Sequence, residues 1–122
     1  MARRKILLVD DDEAVLDFLQ AKLGARYDLV STNAPENVLK LARSHAPQLI
    51  LCDVDMPEVD GGDISSALFA DDELRDIPVL FLTGLATPQD LKHSKGQLAG
   101  RPAVSKNAPV VALVAAIEKL LR

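Results

Sequence analysis

The residues with the clearest chemical potential are polar side chains that close short apolar runs. Each run has the length and composition of a buried strand, so the polar residue stands where that strand would end. These side chains are four carboxylates, one hydroxyl and one amine: Asp10, Asp11, Asp53, Asp55, Thr83 and Lys106. Ligand and reaction sites in α/β sheets lie at the carboxyl ends of the strands, so these six residues are candidates for one shared site.

The candidate chemistry is phosphoryl transfer assisted by a metal ion. Carboxylates packed together repel one another unless a cation joins them. Oxygen ligands without a His/Cys cluster favour Mg²⁺ or Mn²⁺ over zinc. Lys106 adds a positive charge and Thr83 a hydroxyl, which are groups that stabilise phosphoryl oxygens. A carboxylate can itself be the nucleophile, and Asp53 is the candidate because the apolar run before it makes it central and buried.

Five strands and five helices must position these groups. Continuous apolar runs predict strands over 5–9, 27–31, 48–52, 78–83 and 101–105. Helical spacing predicts helices over 13–23, 35–46, 63–70, 88–95 and 108–121. Asp12 and Asn107 are predicted helix caps, and Gly24 is predicted to end the first helix in the left-handed conformation. The alternation favours an α/β fold, a doubly wound parallel sheet with helices on both faces, and Pro102 places the fifth strand at an edge.

The totals exclude several classes of protein. The chain has 122 residues, which predicts one domain over residues 1–122. A net charge of -4 and the lack of a basic stripe argue against nucleic-acid binding. No apolar run approaches the ~20 residues of a membrane helix, and none forms a signal peptide. The single cysteine, Cys52, is expected to pack in the core, and a reduced cytoplasmic location fits.

The order and spacing of these residues resemble the receiver domain of two-component response regulators. The likeness rests on Ile6-Leu7-Leu8-Val9-Asp10-Asp11, on 49–61 around Asp53, on 79–83 and on Lys106, and it covers essentially the whole chain. The resemblance implies the flavodoxin-like receiver fold, with five parallel strands in the order 2-1-3-4-5.

The resemblance also implies a metal site and a phosphoacceptor. Asp11 and Asp53 would ligate Mg²⁺ or Mn²⁺ directly, the backbone carbonyl of Asp55 would be a third ligand, and Asp10 would act through water. Asp53 would be the phosphoacceptor.

Two further residues would respond to the phosphoryl group. Thr83 would be the hydroxyl that turns toward it, and Lys106 its charge partner. A histidine kinase or phosphotransfer protein would supply the phosphoryl group. The domain would catalyse its own phosphorylation and slow dephosphorylation, but it would not turn over a metabolite as an enzyme does.

The implied output is a changed affinity for a partner protein. The usual output surface combines the fourth helix, the fifth strand and the fifth helix. Val111 and Ala115 lie beside the apolar stripe of the last helix, which suggests a homodimer that depends on phosphorylation. The chain ends with that helix, so it either acts alone or is one domain of a longer product.

Two positions depart from the family pattern. Ala103 stands where a Tyr or Phe is usual, which puts the coupling of a hydroxyl to a moving ring in doubt. Asn107 stands where a proline usually follows the lysine, often in a cis peptide. A cis bond without proline costs ~3 kcal/mol, so the loop is either trans or strained.

Two alternative functions remain open. A degenerate receiver could bind partners as a scaffold without phosphorylation, and Ala103 and Asn107 favour this alternative. The sequence Asp53-Val54-Asp55 also fits the Asp-x-Asp motif of haloacid-dehalogenase-type phosphatases. In that family, however, the motif lies on the first strand rather than the third.

Overall fold

The fold is a parallel sheet with helices on both faces, as the alternation predicted. The computed structural model describes residues 3–54, 56, 61–84, 97–98 and 101–121. The elements in chain order are β1 (Lys5–Val9), α1 (Glu13–Leu23), β2 (Asp28–Thr32), a 3₁₀ turn (Pro35–Asn37), α2 (Val38–His45), β3 (Leu49–Asp53), α3 (Gly61–Phe69), β4 (Val79–Thr83), β5 (Gln97–Leu98), β6 (Arg101–Ser105) and α4 (Val110–Leu121). None of the helices in these ranges is long and apolar enough to cross a membrane.

The sheet has the predicted strand order. Five strands run parallel in the order β2-β1-β3-β4-β6, so the predicted order 2-1-3-4-5 is confirmed, with β6 as the fifth predicted strand. The two-residue strand β5 pairs antiparallel with β6, where Gln97 lies opposite Pro102. The fifth predicted strand is therefore the edge of the parallel sheet but not of the whole sheet. The helix predicted over 88–95 lies outside the described residues.

The central strands β1, β3 and β4 are buried on both faces, which explains their continuous apolar sequences. On one face, Leu7, Ile50 and Phe81 belong to a core cluster that includes residues of α2 and α3. On the other face, Leu8 and Leu51 belong to a cluster that includes residues of α1 and α4. The sheet is thus held between two apolar layers, and its carboxyl edge stays available for polar groups.

The ends of α1 show one correct and one wrong prediction. Asp12 caps the helix as predicted, because its Oδ1 accepts the N–H of Ala14 at 2.9 Å. Gly24 is right-handed, with φ −63° and ψ −24°, so the left-handed prediction is wrong. Its N–H continues the helical pattern to the carbonyl of Gln20 at 3.0 Å, which holds it in that conformation. A Cβ at this position would lie 2.6 Å from the same carbonyl oxygen, so close approach explains the glycine.

The start of α4 corrects another prediction. The helix begins at Val110 rather than at 108, so Asn107 does not cap it. The chain first makes a turn in which the N–H of Ala108 donates to the carbonyl of Ser105 at 3.0 Å. The carbonyl of Pro109 then accepts the first helical hydrogen bonds. Asn107 lies within that turn, directly after Lys106.

Candidate functional site

Backbone hydrogen bonds that extend the strand ladders hold the site residues at the carboxyl edge of the sheet. The N–H of Asp10 donates to the carbonyl of Thr32 at 3.3 Å, just beyond β1. The N–H of Lys106 donates to the carbonyl of Thr83 at 2.7 Å, just beyond β6. Asp53 is itself the last residue of β3. The backbone at these three strand ends is therefore held by the sheet, independently of the contacts between the side chains.

A lysine and two buried carboxylates form the centre of the site. Lys106 Nζ lies 3.0 Å from Asp10 Oδ2 and 3.3 Å from Asp53 Oδ1. Asp10 is 1% exposed and Asp53 is 2% exposed. The structure therefore brings these three predicted site residues together, and each buried carboxylate has a charged partner, as buried charges require.

The lysine is held in its charged form. Burial alone lowers the pKa of Lys106, but its contacts with Asp10 and Asp53 and their negative charges outweigh burial, and the net shift is upward. The ammonium group is therefore a permanent positive charge at neutral pH.

A third carboxylate completes an acidic cluster. One carboxylate oxygen from each of Asp10, Asp11 and Asp53 lies within 4.8 Å of the others. Asp11 is exposed, so the cluster is open to solvent on its side. Asp10 Oδ1 accepts the N–H of Asp12 at 2.9 Å. The fourth predicted ligand, Asp55, lies outside the described residues.

The cluster fits a hard divalent cation. Asp10 Oδ2 is buried and, in the described part of the chain, meets Lys106 as an ion pair but no donor in hydrogen-bond geometry. Lys106 pairs with two of the three clustered carboxylates, Asp10 and Asp53, so negative charge exceeds positive charge among these four side chains. Carboxylate oxygens are the ligands that Mg²⁺ takes in proteins.

The predicted hydroxyl also lies at this edge. Thr83 is the last residue of β4, which pairs with β3 on one side and β6 on the other. It is 1% exposed. The strand order thus places Thr83 between the strand that carries Asp53 and the strand that leads to Lys106.

Cys52 is part of the core, as predicted. It is fully buried, and its thiol donates to the backbone carbonyl of Asp53 at 3.3 Å. Burial, with a smaller effect from the charges of Asp53 and Asp10, raises the pKa of the thiol to about 12. The thiol stays protonated at neutral pH and is a poor nucleophile.

The structure describes both departures from the family pattern. Ala103 is buried on β6, directly opposite Phe81 of β4, so no ring projects from this position. The described residues contain no cis peptide bond, so the bond between Lys106 and Asn107 is trans. Sequence reasoning missed Ser105, whose Oγ accepts the N–H of Asn107 at 3.1 Å. The only signal for it was a hydroxyl residue directly before the lysine.

Comparisons with known proteins identify the family. The sequence model described as "Response regulator receiver domain" matches residues 6–118. The chain belongs to this family. Receiver domains of response regulators bind Mg²⁺ at an acidic pocket and interact with histidine kinases and downstream partners.

Several relatives and solved structures resemble this receiver domain. The polar-differentiation response regulator DivK of Brucella anthropi is 36% identical over 88 residues, which are 71% of this chain and 72% of that protein. DivK of Brucella ovis is 35% identical over the same shares of the two chains. The signal receiver domain of a histidine kinase from Syntrophus aciditrophicus is 28% identical, with a TM-score of 0.79 and coverage of 97% of this chain and 89% of that one.

The chemotaxis protein CheY4 of Vibrio cholerae shares the fold. It has a TM-score of 0.81 at 22% identity and covers 98% of this chain and 100% of its own. The fold and family are therefore shown, whereas the roles of the six site residues stay predictions.

Proposed function

We propose that this receiver domain is a phosphorylation-dependent switch that accepts a phosphoryl group on Asp53. The donor would be a histidine kinase or a phosphotransfer protein. One observation carries the proposal: the buried carboxylate of Asp53 lies 3.3 Å from Lys106 Nζ and inside a cluster of three carboxylates. A candidate nucleophile, a cation and an excess of carboxylate charge thereby meet at one edge of the sheet.

In the proposed reaction, a carboxylate oxygen of Asp53 forms a bond to phosphorus. The bond from phosphorus to the imidazole nitrogen of the donor breaks, and its electron pair stays on that nitrogen. The positive charge of Lys106 offsets the negative charge of the phosphoryl oxygens, and the hydroxyl of Thr83 donates a hydrogen bond to one of them.

The metal ion would be held by the acidic cluster. Asp11 and Asp53 would be direct ligands, the carbonyl of Asp55 a third, and Asp10 would act through water. Mg²⁺, or Mn²⁺ in its place, supplies positive charge that stabilises the phosphoryl oxygens when bound. The chain's own part is to bring these oxygens together: the hydrogen bond from the N–H of Asp10 to the carbonyl of Thr32 and the pairing of Asp53 with Leu82 in the sheet fix the backbone from which two of the carboxylates project.

The proposed reverse step is slow hydrolysis of the aspartyl-phosphate by the domain itself. We propose that the domain acts as a switch and does not turn over a metabolite as an enzyme does. The exposed Asp11 side of the cluster leaves a route for water and for the donor.

The proposed output is a changed affinity for a downstream protein in the cytoplasm. Its surface would include β6, α4 and the segment between β4 and β5, most of which lies outside the described residues. On α4, Val111 is 79% exposed and Ala115 is exposed, so a homodimer that depends on phosphorylation could use this side of the helix.

A scaffold that works without phosphorylation is the second candidate. Ala103 favours it, because a buried methyl group opposite Phe81 cannot make the inward ring movement that usually reports phosphorylation. The phosphatase alternative has no such support, since its motif begins at the end of β3, the third strand, and the chain matches the receiver family.

The proposal is tested by intact mass spectrometry. Wild type, Asp53→Asn and Asp28→Asn are incubated with Mg²⁺ and acetyl phosphate. We expect one added phosphoryl group on wild type and on Asp28→Asn, an exposed aspartate far from the site, and none on Asp53→Asn. No addition to wild type with Mg²⁺ bound would favour the scaffold. Addition to Asp53→Asn would show that another aspartate is the acceptor.

A further inference from the structure

We propose that Ser105 is a positioning residue that holds Lys106 in place through the backbone N–H of Asn107. This inference rests on the proposed function, because it concerns how the lysine of the same site is kept near Asp53. It also explains how this chain manages without the proline that is usual after the lysine.

The hydrogen bonds around the lysine carry the inference. Ser105 Oγ accepts the N–H of Asn107 at 3.1 Å, and the carbonyl of Ser105 accepts the N–H of Ala108 at 3.0 Å. The N–H of Lys106 itself donates to the carbonyl of Thr83 at 2.7 Å. Three consecutive backbone N–H groups are therefore bound, two of them by Ser105.

The bond from Asn107 has a physical reason. Proline has no backbone N–H, so it needs no acceptor at this position, whereas asparagine brings a donor that here finds an acceptor within the chain. The Ser105 side chain is the acceptor, and the residue is only 3% exposed. With a trans peptide between Lys106 and Asn107, the N–H of Asn107 is therefore bound by the hydroxyl of Ser105.

The consequence falls on the lysine side chain. Its flexible stem must bring Nζ to 3.0 Å from Asp10 Oδ2 and 3.3 Å from Asp53 Oδ1 at the same time. A turn fixed on both sides of its Cα limits where the ammonium group can go. Misplacement of about 1 Å can cost a large factor in rate, even when the change is made away from the reacting atoms.

Two substitutions test the hydroxyl. Ser105→Ala removes the acceptor, and we expect phosphorylation by acetyl phosphate with Mg²⁺ to slow by about 10-fold, the lower end of the range for residues that orient a site. Ser105→Thr keeps the hydroxyl on a strand that favours branched side chains, and we expect its rate within about twofold of wild type. Thermal unfolding checks that both variants are folded.

A double-mutant cycle separates positioning from general structure. Asn107→Pro removes the donor, so Ser105 then has no N–H at 107 to accept. We expect Ser105→Ala to cost about 10-fold in the wild-type background and less than about twofold when added to Asn107→Pro. Equal costs in both backgrounds would overturn the inference, because the hydroxyl would then act through something other than Asn107.

A second readout does not depend on phosphorylation. Amide hydrogen exchange of Asn107 is expected to be faster in Ser105→Ala and unchanged in Ser105→Thr. Unchanged exchange or an unchanged phosphorylation rate in Ser105→Ala would overturn the inference while wild type still accepts phosphoryl. Failure of wild type itself to accept phosphoryl would instead overturn the proposed function, and the exchange rates would still test the hydrogen bond.

Discussion

Charged groups at the two ends of the parallel strands, the amino edge and the carboxyl edge of the sheet, are paired differently. At the amino edge, defined by Arg3, Arg4, Lys5, Tyr27, Asp28 and Glu118, the charged and polar side chains have partners. The hydroxyl of Tyr27 donates to Glu118, and the guanidinium of Arg4 donates to the carbonyl of Leu121 at the end of α4. At the carboxyl edge, defined by Asp10, Asp11, Asp53, Thr83 and Lys106, three carboxylates cluster and Lys106 pairs with two of them, Asp10 and Asp53.

The difference distinguishes polar groups that stabilise the fold from polar groups that form the candidate site. Cations beside the carboxyl ends of helices complement the helix dipole. Arg3 and Arg4 of the amino edge therefore stabilise the ends of α1 and α4. The excess negative charge of the carboxyl edge destabilises the fold unless a cation joins it. In the function proposed above, a metal ion would neutralise this excess negative charge.

The largest expected effect comes from removing the lysine of the carboxyl edge. Lys106→Met removes the ammonium group that pairs with the buried carboxylates of Asp10 and Asp53. In the presence of chelator we expect the unfolding free energy to fall by about 2 kcal/mol. This is less than the cost of breaking a fully buried ion pair, because the Lys106 side chain is partly exposed. The matched control is Lys5→Met at the amino edge. Its partner Asp28 is 3.8 Å away and 60% exposed, so we expect less than about 0.5 kcal/mol.

Urea unfolding with and without Mg²⁺ measures both variants. Mg²⁺ should recover more stability in Lys106→Met than in Lys5→Met, because only the first has gained unbalanced carboxylates. Equal losses in the two variants would remove the distinction between the edges.

The second effect sharpens the comparison with a metal ligand. Asp11→Asn removes one negative charge from the acidic cluster at an exposed position, so the core is left intact. We expect the affinity for Mg²⁺ to fall by at least about 10-fold. The same substitution at the amino edge, Asp28→Asn, should leave the affinity unchanged. Calorimetric titration with Mg²⁺ measures both, and an unchanged affinity in Asp11→Asn would contradict its place among the ligands.

The smallest effect concerns the tyrosine of the amino edge. Burial, followed by the hydrogen bond to Glu118 and its charge, raises the pKa of Tyr27 from 10.0 to about 12. The folded state keeps the phenol proton longer than the unfolded state does. The stability from this group is therefore present below pH 10 and is lost as pH rises to about 12.

Tyr27 is the single tyrosine and the chain has no tryptophan, so ultraviolet absorbance follows its ionisation directly. We expect a midpoint well above pH 10 in wild type and a lower midpoint in Glu118→Gln. Tyr27→Phe should cost about 1 kcal/mol at pH 8, the net value of one hydrogen bond, and the difference from wild type should shrink between pH 10 and 12. A phenol that titrates at its ordinary pH would show that the Glu118 bond is absent in solution.

The carboxyl edge was more predictable from sequence than the details that fix it. Strands such as β3 are buried on both faces, so Leu49–Cys52 appears as one apolar run and the end of the strand at Asp53 is visible. Parallel strands then bring Asp10, Asp53 and Lys106 together without further information, because their carboxyl ends share one edge.

The errors lie where tertiary contacts decide the backbone. Gly24 stays right-handed because its N–H continues the bonding of α1, and nothing in the local sequence indicates this. Asn107 looked like a cap because asparagine favours caps, but the turn closed by Ser105 delays the helix to Val110. The strand β5 has only two residues, too few for a periodic pattern.

The most direct test of the account is to locate the phosphoryl group. Borohydride reduces an aspartyl-phosphate to homoserine, so peptide mapping of phosphorylated and reduced protein identifies the modified residue. We predict homoserine at position 53 in the presence of Mg²⁺ and none in chelator. Homoserine at position 10 or 11, or phosphoryl incorporation without homoserine, would contradict the assignment of Asp53 as the phosphoacceptor.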